Sequence, residues 1–230
     1  MNTVKRYGVV LGAVLAMAGA AQASENQVWL KQTVEGSLVK EGAWSPLQVK
    51  VEQEEKFDDR IIDSETLLLV GWKMNPYLSA YVGDRWVYER SGGKGHMRPE
   101  QRPTFDLCLA APEFWTLKFD FRSRFEYRDK HGSSPYMRYR ERLRLRTSWN
   151  ITDFKISPYA SEELFFSDKP NTDKSDLYDR NRAQIGLSFK PAPSVSGLSM
   201  NLYYMAQHDW KKDHGWKPTN VFGLEVGYKF

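Results

Sequence analysis

Residues 115–128 read WTLKFDFRSRFEYR: Trp115, Leu117, Phe119, Phe121, Phe125 and Tyr127 fall on one parity, and Lys118, Asp120, Arg122, Arg124, Glu126 and Arg128 on the other. A strand turns alternate side chains to opposite sides, so these become an apolar face and a charged face, whereas a helix would scatter both sets around its axis. Ser123 is the one break on the apolar side. The next run, Tyr136 to Trp149, repeats the pattern: Met137, Tyr139, Leu143, Leu145 and Trp149 oppose Arg138, Arg140, Arg142, Arg144 and Arg146, with Glu141 the exception on the apolar side.

Similar runs of about 11 to 15 residues recur at Ala43–Lys56, Glu65–Met74, Tyr77–Glu89, Gln101–Ala111, Phe154–Phe166, Tyr178–Lys190 and Leu198–Asp209, with a last one ending at Phe230. They exceed the roughly five or six residues of a soluble strand. Short turns are expected at Asn75–Pro76, Pro112–Phe114, Asn150–Asp153 and Pro191–Gly197. Longer polar loops are expected at Ser91–Glu100, Asp129–Pro135, Ser167–Leu177 and Lys211–Lys217. Short turns at one end and long loops at the other are the pattern of a membrane barrel. The fold class is therefore all-β: an antiparallel transmembrane β-barrel of about ten strands, beginning near Ala43. Residues 27–38 read as an eleventh strand, which conflicts with the even counts of bacterial barrels. Either that segment pairs with its neighbour while the N-terminus lies inside, or the count is twelve.

The mean hydropathy of −0.61, with no later apolar run near the roughly 20 residues of a spanning helix, excludes a helical membrane protein. Residues 1–23 have a basic start (Lys5, Arg6), an apolar centre from Val9 to Ala18 and small residues at Ala21 and Ala23. This is the pattern of a signal peptide cleaved after Ala23, leaving 24–230 as one barrel domain. Its removal takes two of the 33 basic residues and none of the 29 acidic ones. The residual charge is too small, and an exported chain too remote, for a nucleic-acid partner. Cys108 is the sole cysteine, so no internal disulfide forms. No phosphate loop, dinucleotide fingerprint or metal-ligand pattern is present; no cofactor and no metal are expected. The acids Asp168, Asp173, Asp176 and Asp179 read as a solvated loop, with weak calcium or lipopolysaccharide-bridging cation binding as the alternative, and SGGKG at 91–95 reads as a flexible loop.

A soluble sandwich also alternates, but in a membrane barrel the apolar band faces lipid and the charged face looks inward. Aromatics near strand ends (Trp29, Trp44, Trp72, Tyr77, Trp86, Trp115, Tyr136, Trp149, Tyr159, Tyr178, Trp210, Tyr228) suit two interfacial girdles. The terminal run VFGLEVGYKF resembles the C-terminal signature of bacterial outer-membrane barrels that their insertion machinery reads, with Phe230 as its last residue. The stretches RSRFEYR, MRYRERLRLR, SPYASEELFF and YDRNRAQIGL, in this order, resemble an uncharacterised barrel family of Gram-negative bacteria known by a domain-of-unknown-function label, over most of Leu47 to Phe230. In plan the chain is similar to the oligogalacturonate- and sialic-acid-specific porins, small monomeric barrels with arginine-lined lumens. The resemblance implies the outer membrane of a Gram-negative cell, contact with lipid and lipopolysaccharide, and a monomer.

With symmetric closure of the loop at Asp129–Pro135, Glu126 faces Arg140, Arg124 faces Arg142 and Arg122 faces Arg144, to within two residues of register. Glu163 comes near Arg140, which then sits between two carboxylates. The candidate lumen residues are Arg122, Arg124, Arg128, Arg138, Arg140, Arg142, Arg144, Arg146, Arg180 and Arg182, with Asp120, Glu126 and Glu163 as ion-pair partners. Two readings follow. If Glu52, Glu54, Glu65 and Glu225 neutralise the ladder from the far wall, the barrel is a closed, salt-bridged structural element. If the lumen stays wet, guanidinium rows attract small anionic solutes and suit bidentate carboxylate or phosphate contacts. A third class, a lipid or peptide hydrolase, would need one of His96, His131, His208 or His214 beside an acid. His208 and Asp209 are adjacent and point to opposite faces, leaving His208 with Asp84 or with another rim acid.

Overall fold

The computed structural model describes residues 26–39, 46–58, 61–90, 96–151, 154–169, 177–190, 197–211 and 215–230. The proposed signal peptide and cleavage site, Trp44, the 91–95 loop, Asp173, Asp176 and His214 lie outside the described residues. The strands are β1 (Asn26–Ser37), β2 (Leu47–Phe57), β3 (Ile61–Lys73), β4 (Leu78–Arg90), β5 (Met97–Ala110), β6 (Lys118–Lys130), β7 (Tyr136–Arg146), β8 (Trp149–Ile151), β9 (Phe154–Ser167), β10 (Tyr178–Lys190), β11 (Leu198–Lys211) and β12 (Gly215–Lys229).

Each long strand pairs with the next, and β12 returns to β1, so the sheet has no free edge. β8 is a continuation of β7 along β9: Thr147 donates to the Pro158 carbonyl, and pairing resumes at Trp149↔Ile156. Pro158 has no N–H to return, which accounts for the interruption. The wall thus has eleven strands. Because each runs antiparallel to its neighbour, the first and last of an odd set point the same way and must close in parallel; the register runs from Asn26↔Asn220 to Glu35↔Lys229. Residues 26–37, the ambiguous segment of the sequence, are the strand that closes the ring.

Three expectations are corrected. Strand bounds leave 38–46, 74–77, 111–117, 152–153 and 191–197 between strands at the C-terminal end, and 58–60, 91–96, 131–135, 168–177 and 212–214 at the other. The long-loop asymmetry therefore disappears, because charged segments such as Met97–Glu100 and Trp216–Lys217 continue the ladder. Trp115 does not begin a strand: it sits at φ 58° in a turn closed by paired Phe114 and Leu117, is 85% exposed, and stacks on Phe114. Trp29 and Tyr159 leave the girdle set, since both face the interior.

The side-chain distribution is inside out. Among described residues, seventeen polar or charged side chains are buried against nine apolar ones, while Val51, Leu68, Val70, Val82, Phe105, Phe119 and Leu143 are exposed. Water would oppose this arrangement; acyl chains outside and a polar interior favour it. The two breaks in the apolar parity explain each other. Ser123 and Glu141 are direct register partners on the outer face, and the Ser123 hydroxyl donates to Glu141 Oε1 at 2.7 Å. At the seam, Gly36 leaves room for Phe230: a Cβ there would come within 2.7 Å of its ring and of its backbone oxygen.

Ser123→Ala leaves a lipid-side carboxylate without its donor and should lower stability by about 1–3 kcal/mol. Ser123→Ala combined with Glu141→Leu should recover that loss, measured by urea unfolding from lipid vesicles. A double variant no more stable than the single one would contradict the lipid-facing placement.

Candidate functional site

The alternation that turns apolar residues to lipid sends the opposite parity of every strand into one enclosed volume. All ten candidate arginines line cavities inside the barrel. On β6 and β7 the register is two residues displaced from symmetric closure: Glu126 opposes Arg138, Arg124 opposes Arg140, and Arg122 opposes Arg142. Arg122 and Arg142, like charges directly opposite, would repel unless each were matched elsewhere.

The matching carboxylates come mostly from adjacent strands rather than the far wall. Asp106 on β5 accepts both Nε and Nη2 of Arg124, at 2.5 and 2.6 Å. Glu126 accepts from Arg138 Nε at 2.7 Å and Arg140 Nη1 at 2.8 Å. Glu163 accepts from Arg122 at 2.6 Å and Arg140 at 3.1 Å, with Arg182 3.6 Å away. Arg140 therefore lies between Glu126 and Glu163. Glu100 accepts from Arg102 and Arg128, Asp120 lies 3.2 Å from Arg144 and 3.3 Å from Arg146, and Asp209 accepts from Arg180. Arg124 is 1% exposed and Glu126 is 0% exposed, so these charges are enclosed by the wall and by one another.

The acids Glu52, Glu54, Glu65 and Glu225 face inward but serve other cations. Glu65 binds Lys56 and Arg85; Glu54 lies 3.3 Å from Lys56; Glu52 lies 3.1 Å from Lys31, which also reaches Glu225 at 3.8 Å. Aromatic rings lie among these interior charges. The buried ring of Phe165 has Arg140 and Arg182 at 4.8 Å and Arg138 and Arg180 at 5.5 Å from its centroid. Trp29 has Arg182 at 4.8 Å and Lys56 at 4.6 Å. A ring face attracts a cation and covers a guanidinium plane without competing for its N–H groups.

Sequence reasoning missed Arg85, Arg102, Asp106, Glu100 and Phe165 as members of this network. The parity of Arg102 and Asp106 was readable; the partner choice was not, because it depends on register.

Among the described residues, two interior cavities are lined by these arginines. One, of about 170 Å³, lies among the ion pairs nearer the start of β1. The other, of about 370 Å³, lies at the C-terminal end; ten Lys or Arg side chains line it against three glutamates, with Ser148, Ser157, Ser188 and Ser199 between them. Both cavities touch Lys31, Glu52, Arg122, Arg142, Arg144, Tyr159, Asn201 and Glu225, which form the waist where they meet. The pairing of His208 with Asp84 is not assembled. His208 bonds Asn181 at 3.0 Å on β10–β11, whereas Asp84 accepts from Gln101 on β4–β5.

A closed wall, an apolar exterior and a charged interior define a transmembrane β-barrel of porin-like architecture. The family model described as protein of unknown function DUF2490 matches residues 26–218, and the chain belongs to that family. Among solved structures the barrel is similar to one described as a NanC porin in a rhombohedral crystal form, at 12% identity and a TM-score of 0.50, covering 88% of this chain and 99% of that one. At that identity the likeness is one of fold. No curated protein matches the sequence.

Removing one member of a buried ion-pair cluster leaves the others without counter-charge, at a cost of about 3–5 kcal/mol. Glu163→Gln should accordingly lower the temperature at which the folded band converts on a semi-native gel. Glu35→Gln, which removes only the exposed pair with Lys229 at 3.8 Å, should cost about 0–1 kcal/mol and leave it nearly unmoved. Equal mobility shifts for both variants would contradict the network.

Proposed function

We propose that this protein is a small outer-membrane channel whose arginine-rich interior favours anionic solutes such as acidic sugars. In this reading the chain is exported on a signal peptide cleaved after Ala23, reaches the Gram-negative outer membrane, and is inserted by machinery that engages Phe230. It stands there as a monomer among lipid and lipopolysaccharide with its C-terminal end toward the periplasm. Arg122, Arg142 and Arg144 carry the preference at the C-terminal cavity, Arg124, enclosed and held by Asp106, adds only its charge, and Glu126 and Glu163 hold Arg140 in place.

The observation that carries this reading is the cationic cavity at the C-terminal end, with ten basic side chains against three glutamates. An enclosed excess of one sign lowers the energy of counter-ions inside it and excludes co-ions. The serines among those cations offer neutral hydrogen bonds to a hydroxylated solute. The likeness in fold to a porin supports a barrel that admits solutes.

A second reading, a structural barrel without flux, is favoured by the complete burial of Arg124 and Glu126 nearer the other end. Planar-bilayer recording under a potassium chloride gradient separates the two. A reversal potential of the sign for chloride preference is expected, and Arg142→Gln with Arg144→Gln should move it toward zero selectivity. A silent membrane would support the structural barrel, and cation preference would refute the proposed role of the arginines.

A further inference from the structure

Nine of the ten interior arginines on β6, β7 and β10 have a carboxylate within 4.0 Å: Arg122 and Arg182 at Glu163, Arg124 at Asp106, Arg128 at Glu100, Arg138 and Arg140 at Glu126, Arg144 and Arg146 at Asp120, and Arg180 at Asp209. Arg142 has none among the described residues, and its Nε is buried without a hydrogen-bond partner. Its register neighbours explain why. Across β6–β7 it faces Arg122, a like charge. Across β7–β9 it faces Glu163, whose two oxygens already serve Arg122, Arg140 and Arg182. The next cation along the strand, Arg144, is matched by Asp120.

We propose that Arg142 is the centre of an oxyanion-binding site at the waist between the two cavities, taking a phosphate or carboxylate group. A guanidinium offers a planar fork that grips either group through two parallel hydrogen bonds, and an enclosed cation without a protein counter-charge takes one from solution. The neighbouring cations at Arg122 and Arg144 add attraction for a second negative charge. Tyr159 lines the same waist; its hydroxyl accepts from Gln184 at 2.9 Å and so keeps its own proton to donate. The bound group comes through the wider cavity, whose lining is the more cationic and the less occupied by ion pairs. This deepens the channel reading and rests on it only for the route by which the ion arrives.

The test is calorimetric titration of inorganic phosphate into the refolded barrel in low-chloride detergent solution, alongside bilayer recording with phosphate added. Saturable binding at one site is expected, weakened tenfold or more by Arg142→Gln. Arg142→Lys keeps the charge but not the fork and should show intermediate affinity; it decides the question should Arg142→Gln fail to fold. Absence of saturable binding, or affinity that neither variant changes, overturns the site. The two readings fail separately: a barrel that conducts but binds no phosphate overturns the site alone, whereas a silent barrel with Arg142-dependent binding keeps the site and overturns the channel.

Discussion

In hydrocarbon no water is available to a backbone N–H or C=O, so a sheet there must close on itself. Closure fixes the rest of this molecule. One parity of each strand meets acyl chains and the other is sent into a narrow enclosed volume, so the charged parity of eleven strands is concentrated in a space of a few hundred cubic ångströms. Only pairing makes that tolerable, because a buried ion without a partner costs several kcal/mol. The interior is accordingly a network in which carboxylates are shared. Glu126 serves Arg138 and Arg140, Glu163 serves three arginines, and Glu65 serves Lys56 and Arg85.

Sharing has consequences of its own. Cations outnumber acids on β6, β7 and β10, and aromatic rings absorb part of the excess: Phe165 lies under four guanidinium groups, Trp29 lies against Lys56 and Arg182, and Tyr136 against Arg128. Toward the C-terminal end no ring among the described residues lies over an arginine, the acids thin out, and the cavity has about 370 Å³. Tight pairing and a cationic vestibule are therefore two outcomes of one imbalance, separated by where the carboxylates happen to lie along the strands.

The period-two pattern made the architecture legible, since residues such as Phe119, Arg122 and Glu126 need only parity to be assigned a side. Even the exceptions carried information. Ser123 and Glu141 look like flaws until register places them opposite one another. Register was the missing quantity: a displacement of two residues along β6–β7 keeps every side chain on its face yet changes each partner, moving Arg124 from Arg142 to Arg140. Loop lengths were misread for a related reason. Polar residues at strand ends look like loops, but Arg98 and Glu100 on β5 continue the ladder, and Glu100 then binds Arg102 and Arg128.

Parity of strand number remains to be explained. Ten strands would close antiparallel, with β12 against β2, and would satisfy every backbone group equally well. The interior chemistry opposes that arrangement. Without β1, Glu225 would lose Lys31, its ion-pair partner at 3.8 Å, and the Thr33 hydroxyl at 3.2 Å. It would instead approach Glu52, which would keep Lys50 at 2.6 Å but lose Lys31 at 3.1 Å. Arg182 and Lys56 would lose the Trp29 ring. β1 therefore supplies the cation that separates two acids and the ring that covers two cations, while its ten register pairs with β12 satisfy the backbone in parallel. Parallel pairing is slightly weaker per residue, a cost that these interior contacts offset. The odd count follows from what the eleventh strand carries inward, and the hydrogen-bond requirement alone would have accepted either number.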